Sequence, residues 1–166
     1  MESVFSVSAA QESPSEPYGI METIRDCLSG YPEYENPRVD GHVVHFDSHG
    51  ISVTLTADEA NASLQYFCDI GEPDPYNTER FLRRMLEANL FLLPRGLRAL
   101  AFNGESGRVL VVGTVIMSFE SFDAENFALR VACCVVDALG IRELLDGDQD
   151  PVDLFLGKIA EETLAA

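Results

Sequence analysis

The sequence predicts an α+β domain in the order α-β-β-β-α-β-β-α, with a twisted antiparallel sheet packed against helices. Three observations predict it. Residues 77–139 read as an amphipathic helix, two apolar strands about a tight turn, and a strongly apolar helix. Residues 51–56 and 64–70 alternate apolar and polar side chains, as half-buried strands do. Ile20, Ile24, Cys27, Leu28 and Tyr31 recur at helical spacing. At 166 residues the chain fits one domain with a real core.

The chain begins with residues 1–16, rich in Ser, Glu and Pro, which read as a disordered leader. The domain spans 17–142, and its first helix opens near Pro17, a residue tolerated in a first turn, and closes at Gly30 and Pro32. After the polar link 32–37, a first strand covers Val39–Phe46, and Ser48-His49-Gly50 turns the chain into the second. There Ile51, Val53 and Leu55 share one face, and in the third strand Leu64, Tyr66, Cys68 and Ile70 do so. Asp74 or Asn77 can cap the second helix, whose apolar positions are Phe81, Leu82, Met85, Leu86, Leu90 and Phe91. Pro94 and Gly96 close it, and the next element is a hairpin that turns at Asn103–Gly107. The last main helix starts at an Asp123 cap and is apolar almost all round, which predicts a central position. Residues 143–166 then read as an acidic link and a short C-terminal helix over Pro151–Leu164.

The fifth strand is apolar on both sides. Val109, Val111, Val115 and Met117 fall on one face, and Leu110, Val112 and Ile116 on the other. Both faces should therefore be covered, one by the domain's helices and one by a second copy of the chain. A homodimer is expected on that ground.

Charge and composition exclude several function classes. A net charge of -17 disfavours nucleic acid and anionic membrane surfaces and leaves neutral, basic or apolar partners. The basic cluster Arg80, Arg83, Arg84, Arg95 and Arg98 reads first as a solvated helix face, and otherwise as an ion-pairing face for an acidic partner or a second subunit. No apolar run reaches the roughly twenty residues of a membrane span and no signal peptide is discernible, so a cytoplasmic location is expected. Cys27, Cys68, Cys133 and Cys134 form no CxxC pair and read as reduced core residues.

His42, His45 and His49 are badly placed on a strand to share a metal. Asp146, Asp148 and Asp150 mimic a calcium loop, but Pro151 stands where its turn needs Gly and Gly157 where it needs Glu. Glu59, Asp69 and Glu87 fall in or beside separate elements, and no nucleophile motif or phosphate-cradling loop is present. The reading is of a chain that is not an enzyme and uses no cofactor.

The second helix and the elements after it (RFLRRMLEANLF, the strand GLRALAF, an acidic turn, an apolar strand, and a helix begun by FDAENF) resemble the class I chaperones of bacterial type III secretion, the family of the Tir chaperone. The resemblance covers about residues 17–142; the leader and the tail depart from it. It implies a homodimeric cytoplasmic chaperone that binds the N-terminal segment of a type III secretion effector and keeps it extended and secretion-competent without ATP. An extended segment can add to a sheet edge through main-chain bonds and seat alternate side chains in grooves.

On that reading Ile20, Ile24, Leu28, Val44 and Phe46 are the effector-binding candidates. Phe81, Met85, Leu86, Leu90, Val111 and Val115 are those for the dimer interface. Two readings compete with it: a small regulatory or stress-response domain of the same fold with no secreted cargo, and a hydrolase using scattered carboxylates and His45.

Overall fold

A computed structural model describes residues 18–58, 61–73, 75–92, 98–117 and 121–146. Among the described residues nine elements follow in chain order: α1 (Tyr18–Ser29), β1 (Glu35–Asp40), β2 (Val43–Ser48), β3 (Ile51–Asp58), β4 (Ser63–Gly71), α2 (Thr78–Leu92), β5 (Arg98–Asn103), β6 (Arg108–Ile116) and α3 (Ala124–Asp146). The strands make one six-stranded antiparallel sheet in the order β1-β2-β3-β4-β6-β5. The fold class is the predicted α+β, with one strand more than the sequence predicts.

The extra strand arises where one strand was expected over 39–46. Gly41 has φ +59 and lets the chain reverse over two residues, so that Asp40 opposes Val43 and Val39 opposes Val44. β1 is therefore built partly from the segment that reads as a polar link. Pro37 and a bulge between Glu35 and Arg38 sit within it, features that an edge strand tolerates and a central one does not. The next turn, His49-Gly50, has both residues at positive φ, the signature of a tight two-residue hairpin.

Three helices pack on one face of the sheet. Met21, Ile24 and Leu28 of α1, Phe81, Met85 and Ala88 of α2, and Phe127, Val131, Val135, Ala138 and Ile141 of α3 enter a single core with alternate residues of the strands. In β6 the alternation selects Val109, Val111 and Val115 for that core. Leu110 and Val112 point to the opposite face, where the described residues place no helix, while Ile116 at the end of the strand is exposed. Each end of the β5–β6 hairpin is fixed locally: the Asn103 side chain accepts from the N–H groups of Glu105 and Ser106, and Gly107 at φ +71 donates to the Asn103 carbonyl.

Asp123 caps α3 as expected, its carboxylate accepting the N–H groups of Glu125 and Asn126 at 3.1 Å. Two expectations for this part of the chain need correction. The helix does not stop near Gly140 but runs to Asp146, so the start of the expected acidic link is helical. Nor is α3 buried all round: Leu129 and Val136 are 65% and 64% exposed, and Cys133 is exposed with them. The leader, the Arg95 position and the expected C-terminal helix lie outside the described residues.

Candidate functional site

No cluster of His, Cys, Asp or Glu suitable for a metal occurs among the described residues. His42 and His49 stand at opposite ends of β2, and His45 between them bonds Thr54 of β3 at 3.0 Å. Of the scattered carboxylates, Asp69 pairs with Arg108, which also reaches Glu72. What the fold presents instead is surface: two sheet edges, an uncovered sheet face and two exposed helix stripes.

The edge at β5 is closed from within the chain. Asn89 of α2 donates its amide to the Leu100 carbonyl at 2.9 Å and accepts the Leu100 N–H at 2.7 Å. A side-chain amide thus stands in for the next strand. Asn is a mediocre helix former, and its place in the middle of α2 was the one sequence signal for this role. Among the described residues, the edge at β1 has no such clamp and no strand lies beyond it in the sheet. Its start is instead pinned underneath. The Tyr34 hydroxyl donates to the Ala128 carbonyl of α3 at 3.1 Å, and its ring meets Phe46 edge-on at 5.2 Å. Burial pushes that hydroxyl up to about 12.

The sequence-predicted site residues divide by this geometry. Ile24, Leu28, Val44 and Phe46 are at most 2% exposed and hold α1 against β2, so their side chains belong to the chain's own core; Ile20 is partly buried against it. Among the dimer candidates, Phe81, Met85, Val111 and Val115 likewise face the core. The physical reason is the same in each case. An apolar set too wide for one face does not announce which half is inward until the neighbouring elements are placed. Leu86 and Leu90 do face outward, 64% and 70% exposed, one turn apart on α2.

The uncovered sheet face is uneven. Toward β2 and β3 it carries His45, Asp47, Ser52, Thr54 and Thr56. Toward β4, β6 and β5 it carries Phe67 opposite Val112, Val112 opposite Ala99, and Leu110 opposite Ala101. Val111 and Val115, the β6 residues named for a second copy, lie on the opposite face, and this half carries their neighbours Leu110 and Val112.

On the helical side, a groove of about 400 Å³ runs between α3 and the end of β6 that extends past β5. Tyr66, Arg98, Cys134 and Asp137 line its floor, and Leu129, Cys133 and Ile116 its rim. Arg98 and Asp137 form an ion pair across it, joining β5 to α3. Burial pushes the Cys134 thiol up to about 11, with Asp137 adding to the effect, and burial pushes Cys68 up to about 12. Both thiols are protonated and unreactive at neutral pH. The four cysteines are free, but Cys133 is exposed and is not the core residue that sequence suggests.

The basic cluster also separates. Arg84 is buried, Arg98 is ion-paired, and Arg80 and Arg83 line a shallow site with Tyr76, Asn77 and Glu79 at the start of α2.

The described residues thus form a helix-backed open antiparallel sheet. The sequence profile of the Tir chaperone protein (CesT) family matches residues 39–129, from β1 into α3, and the chain belongs to that family, the type III secretion chaperones it resembles in sequence. No curated protein matches it. Among solved structures it is similar to a chain of the HopA1–SchA chaperone–effector complex, with a TM-score of 0.51 at 17% identity, covering 78% of this chain and 99% of that one. It is also similar to a chain of the ExsC–ExsE complex, with a TM-score of 0.52 at 16% identity over 78% and 98%. At these identities the likeness is one of fold.

Proposed function

We propose that this chain is an effector-binding chaperone of type III secretion, acting as a cytoplasmic homodimer that holds the N-terminal segment of its cargo extended, without ATP hydrolysis. The match of residues 39–129 to the Tir chaperone family carries the reading. Two features of the surface support it. Among the described residues nothing pairs with the outer side of the β1 edge, which an extended segment could use, and Ile20 lies on α1, the helix that packs against β1. The apolar half of the sheet face (Phe67, Ala99, Ala101, Leu110, Val112) and the Leu86–Leu90 stripe are surfaces a second copy would cover. Strong negative charge keeps such a protein from self-associating indiscriminately and favours neutral or basic cargo.

The test is affinity capture of the tagged protein from its native cytosol without added nucleotide, then limited proteolysis and mass spectrometry. One or a few secreted proteins, each protected over an N-terminal segment, are expected. Retention of structured regulators only would favour the regulatory domain. Sedimentation of Leu110→Asp with Leu86→Asp is expected to show monomers that keep their secondary structure; an unchanged dimer would remove the interface assignment.

A further inference from the structure

The exposed stripe of α3 is a helix face without a partner among the described residues. Asn126, Leu129, Cys133, Val136, Gly140 and Glu143 follow one another at alternating spacings of three and four, and all are exposed. That spacing is the repeat of a helix–helix seam. A helix face turned to solvent is ordinarily polar, but the middle of this one is Leu, Cys and Val. The stripe is also electrically neutral. Between positions 126 and 143 stand Arg130, Arg142, Asp137 and Glu143, two cations and two anions, in a chain of net charge -17. Two copies that repel each other elsewhere can meet here.

We infer that α3 is a second self-contact of this protein, in which the stripes of two copies pack antiparallel about a two-fold axis between Cys133 and Val136. A two-fold contact has to be complementary to itself. With Cys133 against the partner's Val136, Leu129 falls against the partner's Gly140, where nothing lies within 4 Å of the missing side chain. A bulky residue thus meets a gap, twice. On one flank of the seam Arg130 falls beside the partner's Asp137. Arg130 gives its Nε–H to Asn126 at 2.6 Å and keeps its other donors for the partner. Asp137 is partly exposed beside Arg98, so its carboxylate can take a second cation.

Charge also fixes the register. A slide in one direction sets Leu129 against the partner's Cys133 and brings the two Arg130 side chains together. A slide in the other direction brings the two Asp137 carboxylates together. The central register alone pairs opposite charges. A single seam of about 26 Å, opposed by repulsion between two acidic chains, is a weak contact. It joins dimers already formed through the sheet face. It rests on that reading only for the size of the assembly, which is four chains where both contacts form.

Disulfide trapping in the full chain tests the register. In a Cys133→Ala background, Leu129→Cys with Gly140→Cys is expected to link two chains on mild oxidation, the first position to the second. Within one chain these positions lie about 16 Å apart and cannot join. Each single variant in that background is expected to link at least tenfold more slowly, because like positions are equally far apart across the seam. Links between like positions, equal rates, or no linked chains would overturn the inference. So would protection of the Leu129→Cys thiol from alkylation in a chain that sediments as a monomer, which would give the stripe to another occupant.

Gly140→Leu supplies a separate readout. It fills the gap that the partner's Leu129 needs, whereas the helix itself gains, since Leu suits a helix better than Gly and no atom within 4 Å obstructs it. In sedimentation at rising protein concentration, assemblies of four chains are expected to fall to two, with the urea midpoint unchanged or raised. Four chains retained would overturn the inference. Were the sheet-face contact alone to fail, the unaltered protein would sediment as two chains and Gly140→Leu as one, which distinguishes the two failures.

Discussion

At β5 the outward backbone groups of Leu100 are taken by Asn89, whereas at β1 the sheet ends in a strand that no element among the described residues continues. The first edge is sealed by a side chain from α2. The second is blunted by composition alone, through Pro37, the bulge before Arg38 and Asn36 at φ +52. A sheet with one sealed edge and one merely discouraged edge has a direction. On the proposed function, a segment adding to it by main-chain bonds would do so at β1, and α2 presents Leu86 and Leu90 elsewhere.

This asymmetry can be broken or sharpened in four ways. The largest effect is expected from Asn89→Ala, which leaves both polar groups of nearly buried Leu100 without their partner. A loss of about 2 kcal/mol in urea unfolding is expected; a neutral result would mean that the edge is not closed by this pair. Next, Tyr34→Phe removes the bond from the start of β1 to α3 and should cost about 1 kcal/mol.

Tyr34 also makes the β1 side sensitive to alkali. Its hydroxyl and the Cys68 and Cys134 thiols all lie above their ordinary values of 10.0 and 9.0 in the folded chain, so the folded state holds protons that the unfolded state releases. Their contribution is complete below about pH 9 and is lost as pH rises through about 11 to 12. Denaturation midpoints should fall across that window, and less steeply in Tyr34→Phe.

A smaller effect is expected from Arg98→Ala, which deletes the half-exposed ion pair from β5 to Asp137. The loss should be under about 1 kcal/mol and shrink with added salt. The smallest change in stability, within about 0.5 kcal/mol, is expected for Pro37→Val. That variant should nevertheless associate more readily in sedimentation, because it restores a donor to the edge strand. Unaltered association would show that Pro37 does not guard the β1 edge.

Much of this architecture was legible in the residues. Strict alternation in β3 and β4, the Asp123 cap and the Asn103 turn each depend on local chemistry and appear where expected. β1 was not legible, because Pro37 and its polar neighbours are poor strand residues and only the edge position excuses them. Gly41 was the available hint. The inward and outward halves of α2 and β6 were ambiguous for another reason: six apolar residues on α2, and both faces of β6, satisfy any packing until the neighbours are fixed. Hence Met85 and Val111 went inward while Leu86 and Leu110 did not. The pairing of Asn89 with Leu100 joins elements eleven residues apart and leaves no periodic trace.

The seam between β4 and β6 bears on the order in which the molecule assembles. Strands β1 to β4 are successive hairpins, and their contacts close over short stretches of chain. By contrast Leu64 meets Val115, and Cys68 meets Val111, only after α2 and β5 have been made. During synthesis the first four strands can therefore zip together early, under α1, with one border still lacking its neighbour. Until β6 arrives, that border at β4 is the strand most exposed to mispairing, and the nascent chain passes its most vulnerable moment about fifty residues before the sheet is whole.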